Sequence, residues 1–255
     1  HTVYDSLQVS MVKRTNSGLT WNVAYTWSKA LGVCCNTNND GGPAIQALPF
    51  LGLARSLSPF DRPHNFQTTV VWELPFGKGK SMATSGIASA ILGGWQINTL
   101  MSAFTGSPFT VGADGASLNL PGSTQRADLV GEVKRLGSTG RNQAFFDYRA
   151  FRNVTEQRFG TAGFNILRGP HIFNWDAGLF RRFNINERIN IQFRAELANV
   201  LNTPQLGNPS AGIQGLRTNA NGDFLGGVFE VTGVANTGRD GIVQRAGRLG
   251  IRIGF

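Results

Sequence analysis

The chain has 255 residues, of which 41% are hydrophobic and only 15% charged, against roughly 25% charged in an ordinary soluble domain. With 33 Gly, 18 Phe and 5 Trp it is not a disordered chain, which needs few aromatics, nor a helical bundle, which needs Glu and Lys in place of Gly. Its formal charge of +9 is spread along the chain, with no basic run, RNP-like aromatic motif or zinc-finger spacing, so no nucleic-acid partner is expected.

Seven segments alternate apolar and polar residues at period two, as strands with two unlike faces do. Residues 3–14 set Leu7, Val9 and Met11 against Ser6, Gln8 and Ser10. After a tight turn at 15–17, residues 18–31 set Leu19, Trp21, Val23, Tyr25 and Trp27 against Thr20, Asn22, Ala24, Thr26 and Ser28. A long loop, 32–62, leads to 63–75, where Phe66, Thr68, Val70, Trp72 and Leu74 oppose Asn65, Gln67, Thr69, Val71 and Glu73. In the medium connection 76–92, Ile87–Leu92 is predicted to form one or two helical turns, stopped at Gly93-Gly94.

The fourth segment, 93–106, sets Trp95, Ile97, Thr99, Met101 and Ala103 against Gln96, Asn98 and Ser102. Beyond the very long connection 107–171, residues 172–185 carry Phe173, Trp175, Ala177, Leu179 and Phe183 opposite Asn174, Asp176, Gly178 and Arg182. Arg181 falls on the apolar phase, so it either snorkels to an interface or sits at a bulge that resets the register. A tight turn at Asn186 and Glu187 precedes 188–202, with Ile189, Ile191, Phe193, Ala195 and Leu197 against Asn190, Gln192, Arg194 and Glu196. The loop 203–244 leads to 245–255, where Leu249, Ile251, Ile253 and Phe255 oppose Arg248, Gly250, Arg252 and Gly254.

No run of 18 apolar residues exists, which excludes a membrane-crossing helix, but each strand reaches the 9–11 residues that cross a bilayer when tilted. Short and long connections alternate, so every long loop falls at one end. That asymmetry matches an outer-membrane barrel and has no reason to arise in a soluble sandwich. The expected fold class is therefore all-β: an antiparallel up-and-down transmembrane β-barrel fragment of seven or eight strands, in the bacterial outer membrane. Trp27, Trp72, Trp95 and Trp175 lie near strand ends, where an aromatic girdle requires them. Asn190, Gln192, Arg194, Glu196, Arg248 and Arg252 are candidates for the wet lumen, and the apolar rows for lipid. Residues such as Asn36–Asn39, Asn208, Pro209, Gly222 and Asp223 predict irregular, ordered loops.

The last strand, with Leu249, Ile251, Ile253 and the terminal Phe255, resembles the assembly signal of bacterial outer-membrane proteins, which would make the barrel assembly machinery a partner. Further resemblance lies in Tyr4–Val9 with Arg14, in Tyr25-Thr26-Trp27-Ser28-Lys29, in Phe60–Phe66 and in Leu74–Gly79. It continues in Gly93-Gly94-Trp95-Gln96, Leu167-Arg168-Gly169-Pro170, Asn174-Trp175-Asp176 and Phe193–Asn202. These runs are similar to the barrel of TonB-dependent outer-membrane receptors, in particular the Oar-like subgroup that carries a carboxypeptidase-regulatory-like N-terminal domain. The resemblance covers the whole chain, 1–255, as the C-terminal part of such a barrel. It implies a 22-stranded barrel with an internal plug, coupled to the TonB complex and taking up large, scarce solutes such as metal chelates or glycans. The chain opens on His1, without Met or signal segment, and neither plug nor TonB box is recognisable in it, so it reads as a piece of a longer protein.

Other constellations read plainly. Asp61 and His64 frame the start of a strand, with no third partner for acid–base chemistry. His1, His64 and His171 lack metal-ligand spacing, and Cys34-Cys35 is a vicinal pair in a loop, read as an ordinary pair ahead of a soft-metal site or a strained disulfide, so no cofactor is expected. Gly77-Lys78-Gly79-Lys80 lacks the spacing of a phosphate loop and fits a basic turn facing head groups. The alternatives to a transporter segment are a surface-exposed adhesive β protein and, below it, a barrel-embedded hydrolase, for which no Ser-His or Asp-His set stands out.

Overall fold

The computed structural model describes residues 2–33, 51–52, 54–118, 124–186, 188–235 and 244–255. In chain order the strands are β1 (Thr2–Arg14), β2 (Leu19–Val33), β3 (Arg55–Leu57), β4 (His64–Glu73), β5 (Trp95–Phe104), β6 (Pro108–Phe109) and β7 (Asp128–Leu129). They continue as β8 (Phe151–Arg152), β9 (Leu167–Arg168), β10 (Ile172–Asn184), β11 (Asn190–Ala198), β12 (Arg217–Thr218), β13 (Phe224–Gly226) and β14 (Ala246–Gly254). One short helix, α1 (Gly86–Leu92), lies between β4 and β5, and Gly93 caps it, as the glycine pair predicts.

Seven long strands, β1-β2-β4-β5-β10-β11-β14, form one sheet in chain order, each antiparallel to its neighbour, and β3 adds to the far end of β2. These are the seven segments whose period-two pattern predicts strands. β1 and β2 extend past their predicted segments, to Thr2 and Val33, whereas the other five are trimmed at one or both ends. The segment 188–202, for instance, ends its strand at Ala198, because Asn199 turns to a φ of 49° and its side chain bonds Thr203 in both directions.

The tight turns follow from local chemistry. At 15–18, Gly18 adopts a φ of 84°, and the Thr15 hydroxyl accepts the Leu19 N–H at 3.2 Å. At the β10–β11 turn, the Asn186 carboxamide oxygen accepts the N–H groups of Arg188 and Ile189 at 3.0 and 2.7 Å. Glu187 of that turn lies outside the described residues.

The connections β2–β4, β5–β10 and β11–β14 all leave the same end of the sheet, and two of them build a cap with its own core. Phe145, Phe146, Phe151, Val228, Phe229, Val111 and Leu167 are buried there. Phe146 meets Phe145, Phe109 and Phe229 edge-on, with ring centroids 5.2 to 6.0 Å apart. Backbone hydrogen bonds stitch the two connections together: Phe145 N–H to Phe229 O at 2.8 Å, and Gly112 N–H to Ala211 O at 2.8 Å. The main apolar core of the described residues is thus in the cap, not in the sheet. The loops are more than irregular: among the described residues they hold three pairs of short strands, β6 with β9, β7 with β8 and β12 with β13.

Candidate functional site

The registers carry each row of side chains across the whole sheet without a slip. Gly178, Glu196 and Arg248 stand opposite one another on β10, β11 and β14, as do Arg182, Gln192 and Arg252. Phe180, Arg194 and Gly250 form the row between them, and Asn190 faces Gly254. On the other side of β10, Asp176 lies opposite Leu100 and Thr69, and Asn174 opposite Ser102 and Gln67. All six candidate lumen residues, Asn190, Gln192, Arg194, Glu196, Arg248 and Arg252, therefore share one face. A hollow of about 400 Å³ opens on this face, lined by Thr69, Asn98, Asp176, Phe180, Glu196 and Arg248 among others. Arg194 fans onto the Gln192 carboxamide oxygen, with Nε and Nη2 at 3.0 and 2.8 Å.

The opposite face is apolar, and its few hydroxyls are spent within it. The Trp21 indole N–H donates to Thr68 Oγ1 at 2.8 Å, and that hydroxyl donates on to the Asn22 carbonyl at 3.0 Å. Trp175 repeats the arrangement through Thr99, which donates to the Asp176 carbonyl at 2.9 Å. A face that meets hydrocarbon must satisfy its polar groups internally, and these pairs do so. Trp27 and Trp175 sit toward the capped end, whereas Trp21, Trp72 and Trp95 sit toward the tight turns. Leu249, Ile251 and Ile253 of β14 extend the apolar face opposite Ala195, Phe193 and Ile191, and Phe255 is 98% exposed.

Arg181 stays on this apolar face. The pairs on both sides of it, Arg181 with Phe193 and Arg181 with Trp95, continue the register, so no bulge resets it.

Motifs far apart in sequence meet in space. The carboxylate of Asp61, from Phe60–Phe66, accepts from Arg168, from Leu167–Pro170, and its other oxygen accepts the Ala30 N–H at 2.6 Å. Arg168 also donates to the Asp61 carbonyl at 3.1 Å. Asp61 and His64 do not form a dyad: His64 Nδ1 is bonded to the Tyr25 hydroxyl at 2.8 Å. Beside the pair, Arg62 donates to the Thr105 carbonyl at 2.7 Å, and burial, then the Arg168 charge, lower its pKa. Asp176 Oδ1 accepts from Asn174 at 2.9 Å and from the Asn199 N–H at 2.8 Å, joining two more motifs. Gly77 and Gly93 join another pair, packed so closely that a Cβ on Gly77 would lie 2.8 Å from the Gly93 Cα.

The cap holds ionic joints that the sequence did not disclose. Asp128, with 3% of its side chain exposed, receives Arg158 at 2.6 and 2.8 Å, Arg152 at 3.5 Å and the Thr161 N–H at 3.2 Å. Hydrogen bonding from Arg158 is the largest influence, and it brings the Asp128 pKa down to about 2. Glu230 accepts the N–H groups of Gly227 and Asn142 at 2.7 and 2.5 Å, which lower its pKa against the opposing effect of burial. Gln125 is buried with its oxygen taken by the N–H groups of Arg126 and Gly160, both at 3.1 Å. The only sequence signal for this cap is the aromatic run Phe145-Phe146, Tyr148, Phe151 inside a stretch rich in turn residues. Among the described residues no group of three or more His, Cys, Asp or Glu is placed to hold a metal, and Cys34-Cys35 lies outside them.

An open antiparallel sheet with one apolar and one polar face, tight turns at one end and a cap at the other, defines a wall of a membrane barrel. The family model that matches the chain is that of the outer membrane beta barrel domain, over residues 1–239. The chain belongs to this family and is an outer-membrane barrel protein of a bacterium. No curated protein and no solved structure matches it. Among the described residues no helix is long and apolar enough to cross a membrane, which bears on helices alone.

Proposed function

We propose that the chain is part of the wall and external cap of a TonB-dependent receptor that takes up a large or scarce solute. The observation that carries this reading is the polar wall lying under an ordered cap. Arg182, Arg194, Arg248 and Arg252 share that wall with Asp176 and Glu196. A lumen, whether water-filled or plugged, accommodates such side chains where hydrocarbon would not. Four arginines on three adjoining strands favour an anionic solute or an acidic plug surface against them. The cap, with its buried core, supplies the rigid base on which binding loops keep their shape.

In this reading the lumen-facing residues are Asn190, Gln192, Arg194, Glu196, Arg248 and Arg252, and the chain does no covalent chemistry. The apolar face meets outer-membrane lipid, and the TonB complex acts through another part of the parent protein. The test is accumulation of labelled metal chelates and oligosaccharides by cells with and without the parent, before and after an uncoupler collapses the proton-motive force. Uptake that needs both the protein and the energised membrane is the expected result. Binding to the cell surface that ignores the uncoupler, with no accumulation, would replace this reading with that of an adhesive surface protein. Exposed Val130 and Leu136 on the cap are the feature that favours that second reading.

A further inference from the structure

The connection between β4 and β5 ends in a helix whose position is set from the apolar face of the sheet. Gly93 N–H closes the helix on the Ser89 carbonyl at 3.0 Å. The next two carbonyls are taken by side chains of the sheet: Arg181 donates to Ala90 O, and the Trp95 indole N–H donates to Ile91 O at 3.1 Å. Arg181 and Trp95 are register partners on the apolar face, so α1 is tied to the outside of the wall, at the tight-turn end. The guanidinium of Arg181 lies 4.2 Å from the Phe183 ring centroid and 5.2 Å from that of Trp95.

Nothing in the described protein covers this helix. Ile87 is 79% exposed and Ile91, one turn on, 58% exposed, and Met82 and Leu92 are exposed beside them. From Pro75 to Trp95 the charged residues are Lys78 and Lys80, with no acidic residue among them. Lys80 is paired with Glu73 at 2.8 Å, while Lys78 is exposed. Among the described residues no carboxylate lies within salt-bridge distance of Arg181.

We propose that α1 is an interfacial foot seated in the periplasmic leaflet of the outer membrane. Ile87 and Ile91 enter the acyl boundary, and Arg181 and Lys78 meet phospholipid phosphates. Two features choose lipid as the occupant. The helix continues, at its rim, the same apolar face that crosses the membrane, and the charges around it are of the sign that phosphate attracts. The arrangement also accounts for Arg181 on an apolar row. At mid-depth an arginine is costly, whereas at the rim its head reaches the interface while its stem covers Trp95 and Phe183.

The test uses the full-length parent in isolated outer membranes, on a background with Cys34→Ser and Cys35→Ser. Spin labels are placed through Ile87→Cys, Ile91→Cys, Ser85→Cys and Lys78→Cys, all at exposed positions. Accessibility to oxygen and to a water-soluble nickel chelate is then compared. Labels at 87 and 91 should prefer oxygen, and those at 85 and 78 the nickel chelate. With the label at 87, Arg181→Gln should shift it toward water and Arg181→Lys should restore it. Labels at 87 and 91 open to the nickel chelate would overturn the proposal, and labels closed to both reagents would overturn it in favour of a covering protein. An unchanged label at 87 in Arg181→Gln would remove Arg181 from the foot.

Discussion

Arg168 reaches across 107 residues of sequence to the carboxylate of Asp61, whose side chain is wholly buried. The pair fastens β9 of the cap to the segment that leads into β4, and through the Ala30 N–H it also holds β2. Breaking a buried pair by removing one partner leaves the other charge uncompensated, which costs about 3–5 kcal/mol. Asp61→Ala is therefore expected to loosen the cap while leaving the sheet paired. Hydrogen exchange should quicken at Gly169, whose N–H bonds Ser107, and stay slow across β10 and β11. Protection unchanged at both places would show that the clasp is dispensable.

The seven long strands were legible because a period of two states a strand's faces residue by residue, and a register slip would mix those faces. Even Arg181, a charge out of phase within β10, obeys the register. The cap was not legible. Phe145 meets Phe229 across more than 80 residues, and its short strands are two or three residues long, too short to show any period. The Asp61–Arg168 clasp was hidden for the same reason: each residue stood in a recognisable motif, but nothing local said that the motifs meet. A run of aromatics, Phe145-Phe146, Tyr148 and Phe151, in a loop rich in turn residues was the available hint.

Acid should weaken the cap at Asp128. Its pKa falls from an ordinary 3.8 to about 2, so its stabilising effect is fully present above about pH 4 and is lost as pH drops through 2. The difference corresponds to roughly 2 kcal/mol at most, since Arg158 keeps part of its surface in water. Asp128→Asn should lower cap stability at neutral pH and flatten this acid dependence. Exchange at Thr161 and Ala162 between pH 5 and pH 2 measures it, and an unaltered slope in the variant would exclude Asp128 as its source.

Phe193 and Arg194 are neighbours in β11 and belong to opposite faces. Spin labels at 193 and 194 in the membrane-embedded parent should therefore report lipid and water respectively. Arginine facing lipid at mid-depth would cost about 2–4 kcal/mol, which a hydrated lumen avoids. Equal accessibility at the two positions would refute the assignment of the faces.

Phe255→Ala should reduce assembly of the parent. The residue is 98% exposed at the end of a strand paired on one edge only, with Leu249 89% exposed in the same row. Such an edge is open to strand addition by insertion machinery. The folded fraction in membranes, read from heat-modifiable gel mobility, should fall in the variant. An equal fraction would count against Leu249, Ile251, Ile253 and Phe255 as a signal.

The two edges of the sheet make the last prediction. Antiparallel pairing in chain order through seven strands leaves β1 and β14 parallel to each other, and among the described residues they are not paired. Joining them directly would break the antiparallel order of bacterial barrels, and leaving them open would expose a row of N–H and C=O groups to hydrocarbon. An odd number of further strands between β14 and β1 resolves both problems, since it makes the total even and pairs both edges. Residues 1–255 purified alone should then fail to give a monodisperse, heat-modifiable barrel in detergent, whereas the parent should give one. Cysteines introduced along the free edge of β1 should be crosslinked to residues outside 1–255 in the parent. A closed barrel with pore conductance from residues 1–255 alone would show that β1 and β14 close on each other after all.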